Sequence, residues 1–190
     1  MADPSPAETL KTPTRTWTRA VDNTTYTCST DTALIQLDAL NSAFASDLIW
    51  WAKPLSETDL YKTVHNSLCF GVYASTDETS SSEKPMIAFA RLITDHVTFA
   101  YLTDVYVLEA HQGKGLGKWM MACLKEVLDS WEGLRRCVLF TGGQDAVRLY
   151  ERKLGMRDVR EQRNGLVIMQ VLGRAGAPGP KRGEGEGEER

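Results

Sequence analysis

Histidine is scarce in this chain. Three among 190 residues are too scattered to hold a metal ion by spacing, so no metal is expected. Cysteine is little used as well. Cys28, Cys69, Cys123 and Cys137 form no CxxC pair, and three of the four lie in apolar stretches. That pattern reads as reduced thiols in an intracellular protein, not as a disulfide framework. No apolar run approaches the ~18 residues of a membrane span. The opening "MADPSPAETLKTPTRTW" lacks the apolar segment of a secretory leader. A cytoplasmic location with no membrane partner is therefore expected, the nucleus being left open. Nor is positive charge in excess: 22 Lys and Arg against 25 Asp and Glu give −3, which argues against general nucleic-acid binding.

What is present suits a globular domain with one core: 42 % hydrophobic and 25 % charged residues over 190 positions. The ends differ from the middle. Residues 1–15 are Pro, Thr and Ala with little to bury, and 173–190, "GRAGAPGPKRGEGEGEER", are Gly, Pro and charge. Neither composition can offset its ordering entropy, so both are expected to be disordered tails around a domain at 16–172.

Within the domain both hydrophobic periods occur. The patterns predict a strand at 24–29 and a helix through "TALIQLDALNSAF" capped by Asp31. They predict a second helix in "LSETDLYKTVHNS" with Ser56 as N-cap. Strands are expected at 68–75, 86–94 and 97–108, the last two joined by a tight Asp95-His96 turn. A helix at 116–131, a strand at 136–142, a helix at 144–155 and a strand at 165–172 complete an α+β order with a βαβ unit near its end.

That order places "HQGKGLGKW" (111–119) where a buried strand gives way to a helix. Closely spaced glycines let several N–H groups point one way. The helix N-terminus adds partial positive charge, and Lys114 and Lys118 add whole charges. The stretch therefore reads as an anion site, most simply for a diphosphate. It is not a Walker A loop: Gln112 stands at the first glycine and Trp119 follows the lysine. It is not GxGxxG either, because Lys118 occupies the third glycine position.

Gln112-x-x-Gly115-x-Gly117 resembles the Q/R-x-x-G-x-G/A signature of the GNAT superfamily of acyl-CoA-dependent N-acyltransferases. "DAVRLYERKLGM" is similar to that family's A-x-x-L-Y-x-x-x-G-F/M segment through Ala146, Leu149, Tyr150, Gly155 and Met156. The strand and short loop in "YLTDVYVLEAH" and the element order agree over roughly 16–172. "NSLCFGVY" and "FARLITDHVTFAYLTDVYVL" resemble a largely uncharacterised subgroup. The resemblance implies a GNAT fold: a central mixed, mostly antiparallel sheet with a splayed parallel strand pair, flanked by about four helices. It also implies acetyl-CoA as co-substrate. The pantetheine arm would lie between Val105, Tyr106 and Val107 on one side and Val138 to Thr141 on the other. The diphosphate would lie on Gln112, Gly113, Lys114, Gly115, Leu116, Gly117 and Lys118. Two departures stand out. Gln112 replaces the commoner Arg, which removes a positive charge, and Gly143 stands where the family often has Asn.

The implied reaction is direct transfer, in a ternary complex, of acetyl to a primary amine of a small molecule or amino acid. Tyr150 matches the tyrosine that protonates the departing thiolate; its alternative is core packing. Asp104 is either a base acting through ordered water or a structural carboxylate. By strand alternation it falls on the face opposite Tyr101 and Thr103, which the register with the signature turns toward the acceptor; a bulge near the splay would change that parity. Trp50 and Trp51 are adjacent and are expected to face different ways, one packing and one flanking the acceptor. The alternative is that both are structural or line a homodimer contact. Rival functions are a non-catalytic acyl-CoA- or partner-binding module of this fold and a protein or peptide N-acetyltransferase.

Overall fold

Among the residues described by the computed structural model, 13–76 and 84–161, six strands lie side by side in chain order. They are β1 Thr16–Val21, β2 Thr24–Ser29, β3 Leu68–Thr76, β4 Met86–Thr94, β5 Phe99–Val107 and β6 Arg136–Val138. Neighbours are antiparallel except β5 and β6, which are parallel because helix α3 (Leu116–Asp129) crosses between them. Helices α1 (Leu37–Phe44) and α2 (Glu57–His65) pack on one face of the sheet, and α3 and α4 (Gln144–Leu154) on the other. The expected α+β class and mixed sheet are observed. The strand expected at 165–172, the tail at 173–190 and residues 1–12 lie outside the described residues.

Two cores result. On one face the α3 stripe of Met120, Met121, Leu124 and Val127 is fully buried against Phe70, Val72, Leu92 and Leu102. On the other, Leu40 and Phe44 of α1 and Leu60 and Val64 of α2 meet Phe89 and Tyr106. Each such side chain contributes about 1.5–3 kcal/mol by leaving water. Ser56 caps α2 as expected, its Oγ accepting from the Asp59 N–H at 3.2 Å.

Four local expectations need correction. The expected elements do not include β1. It forms a hairpin with β2 through Asp22 and Asn23, both left-handed (φ 47 and 59), the combination a two-residue turn requires. Asp31 caps only a short 3-10 turn, its carboxylate accepting from Ala33 N–H at 2.9 Å. α1 begins later because Gln36 leaves the helix to bridge Lys84 and Met86: its Nε2 donates to Lys84 O at 2.8 Å and its Oε1 accepts from Met86 N–H at 2.9 Å. The β4–β5 connection is wider than a two-residue turn. The Asp95 carboxylate accepts the N–H groups of Val97, Thr98 and Phe99, at 3.0, 2.8 and 3.1 Å, so β5 starts only at Phe99. Finally, β6 stops at Val138 instead of running to 142.

β5 carries a bulge. Phe89 pairs with Tyr106 and Arg91 with Thr103, so β5 has one residue more than β4 between them. Asp104 sits there with φ +53, a conformation that costs a non-glycine residue about 1–3 kcal/mol. The extra residue inverts the strand. Before it, Ala100 and Leu102 face α3; after it, Val105 and Val107 pack on that side and Tyr106 turns to α1 and α2. Simple alternation places Asp104 opposite Thr103. The bulge instead puts both on one face, where Thr103 Oγ1 donates to Asp104 Oδ1 at 3.1 Å.

Candidate active site

The parallel pairing of β5 with β6 covers Phe99↔Arg136, Ala100↔Cys137 and Tyr101↔Val138, and no more among the described residues. From Leu102 onward β5 has no partner on that side among the described residues. The expected splay is therefore there, with Val105 to Val107 on one arm and Val138 to Thr141 on the other. The loop at 111–118 lies at the open end. Val107, the last residue of β5, places Cγ2 3.6 Å from where a Cβ on Gly117 would stand.

The loop's geometry fits an anion. Gly113 (φ +77) and Gly115 (φ +73) are left-handed, which an L side chain rarely tolerates. Gly115 is the N-cap of α3 and offers no side-chain cap. The first intrahelical bond is Trp119 N–H to Gly115 O at 3.1 Å. The N–H groups of Leu116, Gly117 and Lys118 thus have no partner within the helix, at its positive end. Leu116 is itself buried and anchors the turn. Gln112 is turned back, Nε2 donating to Val107 O at 2.9 Å, so its side chain ties strand to loop. Lys114 Nζ donates to Tyr26 Oη at 3.4 Å, and Lys118 is exposed. His111, whose Nδ1 lies 3.5 Å from the same hydroxyl, has its pKa lowered by burial and by Lys114.

Arg19 is a residue the sequence did not reveal as part of this site. From β1 its Nη1 donates to Gly115 O at 3.5 Å, bringing a guanidinium to the loop where Gln112 brings no charge. The signal was the spacing of Arg15, Trp17 and Arg19. Arg15 and Trp17 bond to Glu126 further along α3, so the odd residues of β1 run beside that helix.

Tyr150 lies on α4, half-buried, and packs on the α3-side core with Val105 and Val107. Among the described residues its hydroxyl has no hydrogen-bond partner, and burial raises its pKa. A cleft of about 660 Å³ bounded by α3, β6 and α4 is lined in part by Tyr150, Thr141 and Val138. Met156 to Arg160 also line it, and none of residues 111–118 does.

On the opposite face Asp104 is buried, 5 % exposed, and its Oδ2 accepts from Arg91 Nε at 2.7 Å. Tyr106 is buried beside Phe89, and burial and then Asp104 raise its pKa. Tyr101 meets Phe140 edge to face at 5.7 Å, across the point where strand pairing stops. Trp50 and Trp51 pack on each other at 88° and are both exposed, 58 % and 40 %; neither is buried in the core. Among the described residues no cluster could hold a metal ion and no helix is long and apolar enough to cross a membrane.

The Acetyltransferase (GNAT) family profile matches residues 37–156, spanning the splay, the loop and Tyr150. The chain belongs to the GNAT acetyltransferase family. It is 43 % identical over 155 residues to a Gibberella zeae protein named only as a candidate acetyltransferase, covering 76 % of this chain and 84 % of that one. A crystal structure of a GNAT-family protein from Xanthomonas campestris is 34 % identical, with a TM-score of 0.59 over 77 % of this chain and 93 % of that one. A Staphylococcus aureus protein, 20 % identical with a TM-score of 0.54 over 76 % and 99 % of the two chains, shares the fold. Family membership carries acetyl transfer as the general activity, and the family generally uses acetyl-CoA.

Proposed function

We propose that this GNAT protein transfers an acetyl group from acetyl-CoA to a primary amine of a small molecule or amino acid, by direct attack within a ternary complex. The observation that carries the reading is the end of β5–β6 pairing at Tyr101↔Val138 beside the uncapped N-terminus of α3. An extended amide-bearing arm can pair with the free edge of β5. A diphosphate can accept from the N–H groups of Leu116 to Lys118, with Arg19, Lys114 and Lys118 around it. Backbone N–H near Tyr106 and Val107 would stabilise the oxyanion. Tyr150 would protonate the leaving thiolate, and Tyr101, Thr103, Trp50 and Trp51 would bound the acceptor.

The thiols favour direct transfer over an acyl-cysteine route. Burial pushes Cys69 up to about 12 and Cys137 up to about 11, and Cys28 is raised by its hydrogen bond with Cys123 and by burial. None of these three is a thiolate near neutral pH. The test is an acetyl-CoA consumption screen across small amines, amino acids and peptide N-termini, beside calorimetric titration with CoA. CoA binding with turnover of a small amine is expected. Turnover of peptides alone would overturn the acceptor class, and absence of CoA binding would overturn the reading itself.

A further inference from the structure

We propose that Arg91 is a positioning residue for this site: it holds the Asp104 bulge, and the bulge decides what β5 presents to each substrate. The proposal depends on the acetyl-CoA site being at the splay. An aspartate at φ +53 in mid-strand does not adopt that conformation by preference, as a glycine would. Something must over-determine it, and the side-chain contacts show what. Arg91 Nε and Nη2 both reach Asp104 Oδ2 at 2.7 Å, and Thr103 Oγ1 donates to Oδ1 at 3.1 Å. Arg91 stands on β4 directly opposite Thr103, at the edge of the register shift. Its remaining arm reaches away from the bulge: Nη1 donates to Ser67 Oγ at 3.3 Å, and that hydroxyl donates to Thr63 O, in the last turn of α2, at 2.9 Å. A continuous polar chain thus ties α2 to the strained residue.

The strain matters because it sets the orientation of Val105, Tyr106 and Val107. A one-residue slip exchanges the two faces of a strand. Without the bulge, Val105 and Val107 would turn toward α1 and α2, and Tyr106 toward α3. Backbone N–H groups alternate between the two strand edges as well. The slip would therefore exchange the amides that face the splay with those bonded to β4. Asp104 lies three residues past Tyr101, where pairing with β6 stops. Arg91 touches neither substrate in this arrangement and acts through Asp104.

The test uses two readouts on the full chain: the dissociation constant for CoA by calorimetry, and hydrogen exchange of the Val105 to Val107 amides. Arg91→Met is expected to weaken CoA binding at least about tenfold, roughly 1.4 kcal/mol, and to change the exchange of those three amides. Arg91→Met combined with Asp104→Gly should return both readouts, with the constant within about threefold of wild type, because glycine holds the bulge unaided and leaves no buried charge unpaired. A merely stabilising pair would lower the melting temperature without this rescue. Wild-type CoA affinity in Arg91→Met, or no recovery in the double variant, overturns the proposal. Should Arg91→Met fail to fold, Arg91→Lys keeps the charge but not the two-donor fork. It should still bind CoA about threefold to tenfold more weakly, and wild-type binding there overturns the proposal too. If the wild type itself binds no CoA, the functional reading fails, and the exchange pattern alone decides whether Arg91 holds the bulge.

Discussion

Tyr150 is in the second turn of α4, and its ring packs on the α3-side core, to which Val105 and Val107 also contribute. Removing only the hydroxyl separates its two roles. Tyr150→Phe keeps the ring, so CoA should bind as in wild type, while turnover on a confirmed amine should fall about 10²–10⁴-fold, the usual worth of a positioned acid. The sign of the pH dependence is set by burial, which raises the phenol above its ordinary value. The acid form therefore persists beyond pH ~10, and the wild-type rate should fall only as pH climbs through that raised value. Tyr150→Phe should lack this falling limb. Near wild-type turnover in the variant would reduce Tyr150 to packing. Arg19→Ala tests a contact of a different kind. An exposed guanidinium is worth ~0.6–1 kcal/mol here, so CoA binding should weaken about threefold to fivefold, and the difference should shrink at high salt.

At the scale of elements, the loop and the turns make separable predictions. Among the described residues a Cβ at Gly117 would meet only Val107 Cγ2, at an ordinary 3.6 Å, and Gly117 lies in the first turn of α3 without a left-handed φ. Gly117→Val should therefore fold and melt like wild type yet bind CoA at least about tenfold more weakly, because the new methyl groups occupy the space a diphosphate needs. The Asp95 turn is expected to respond to acid. Thr98 Oγ1 and the N–H groups of Val97, Thr98 and Phe99 hold this carboxylate below the usual carboxylate range. A depressed value contributes stability above about pH 4 that is lost as pH falls. Asp95→Asn should show a smaller decline in melting temperature below pH 4 than wild type; equal declines would mean the turn is not an acid-sensitive point. The range of the forces involved explains why some elements were legible in the sequence and others not. α3, α4, β3 and β4 carry long apolar periods, and the glycine loop carries its own backbone chemistry, so local pattern sufficed. β1 is short, sets only Trp17 and Val21 on the core, and is held by its pairing with β2 and by the bonds of Arg15 and Trp17 to Glu126 of α3. Gln36 delays the start of α1 by bonding to residues 48 and 50 positions away. The bulge depends on Arg91, thirteen residues from Asp104. Simple alternation does not reveal it, so the face it assigns to Asp104 fails, whereas the loop and Tyr150 do fall at the start of α3 and on α4, the elements expected to carry them.

The whole molecule brings together parts far apart in the chain. Arg19 on β1, the end of β5 and the start of α3 come together at one opening, where β5 has no further partner on the β6 side among the described residues. A ligand that pairs with the free edge of β5 and fills the cap of α3 replaces contacts the fold itself leaves unmade. Its binding should therefore appear as stability of the entire domain. At a CoA concentration about 100 times its dissociation constant the linkage amounts to about 2.7 kcal/mol. For a domain of this size each kcal/mol moves the melting temperature by roughly 2–4 °C, so a rise of roughly 5–11 °C is expected in scanning calorimetry. On the proposed placement, pantetheine alone would reach only the splay and ADP only the loop. At the same concentration each should shift the transition far less than CoA, because joining the halves makes the second contact intramolecular. In Gly117→Val the CoA shift should largely disappear while the ligand-free melting temperature stays in place. A shift of equal size in that variant would place the diphosphate elsewhere, and no shift in wild type up to millimolar CoA would remove the basis for treating this opening as an acetyl-CoA site.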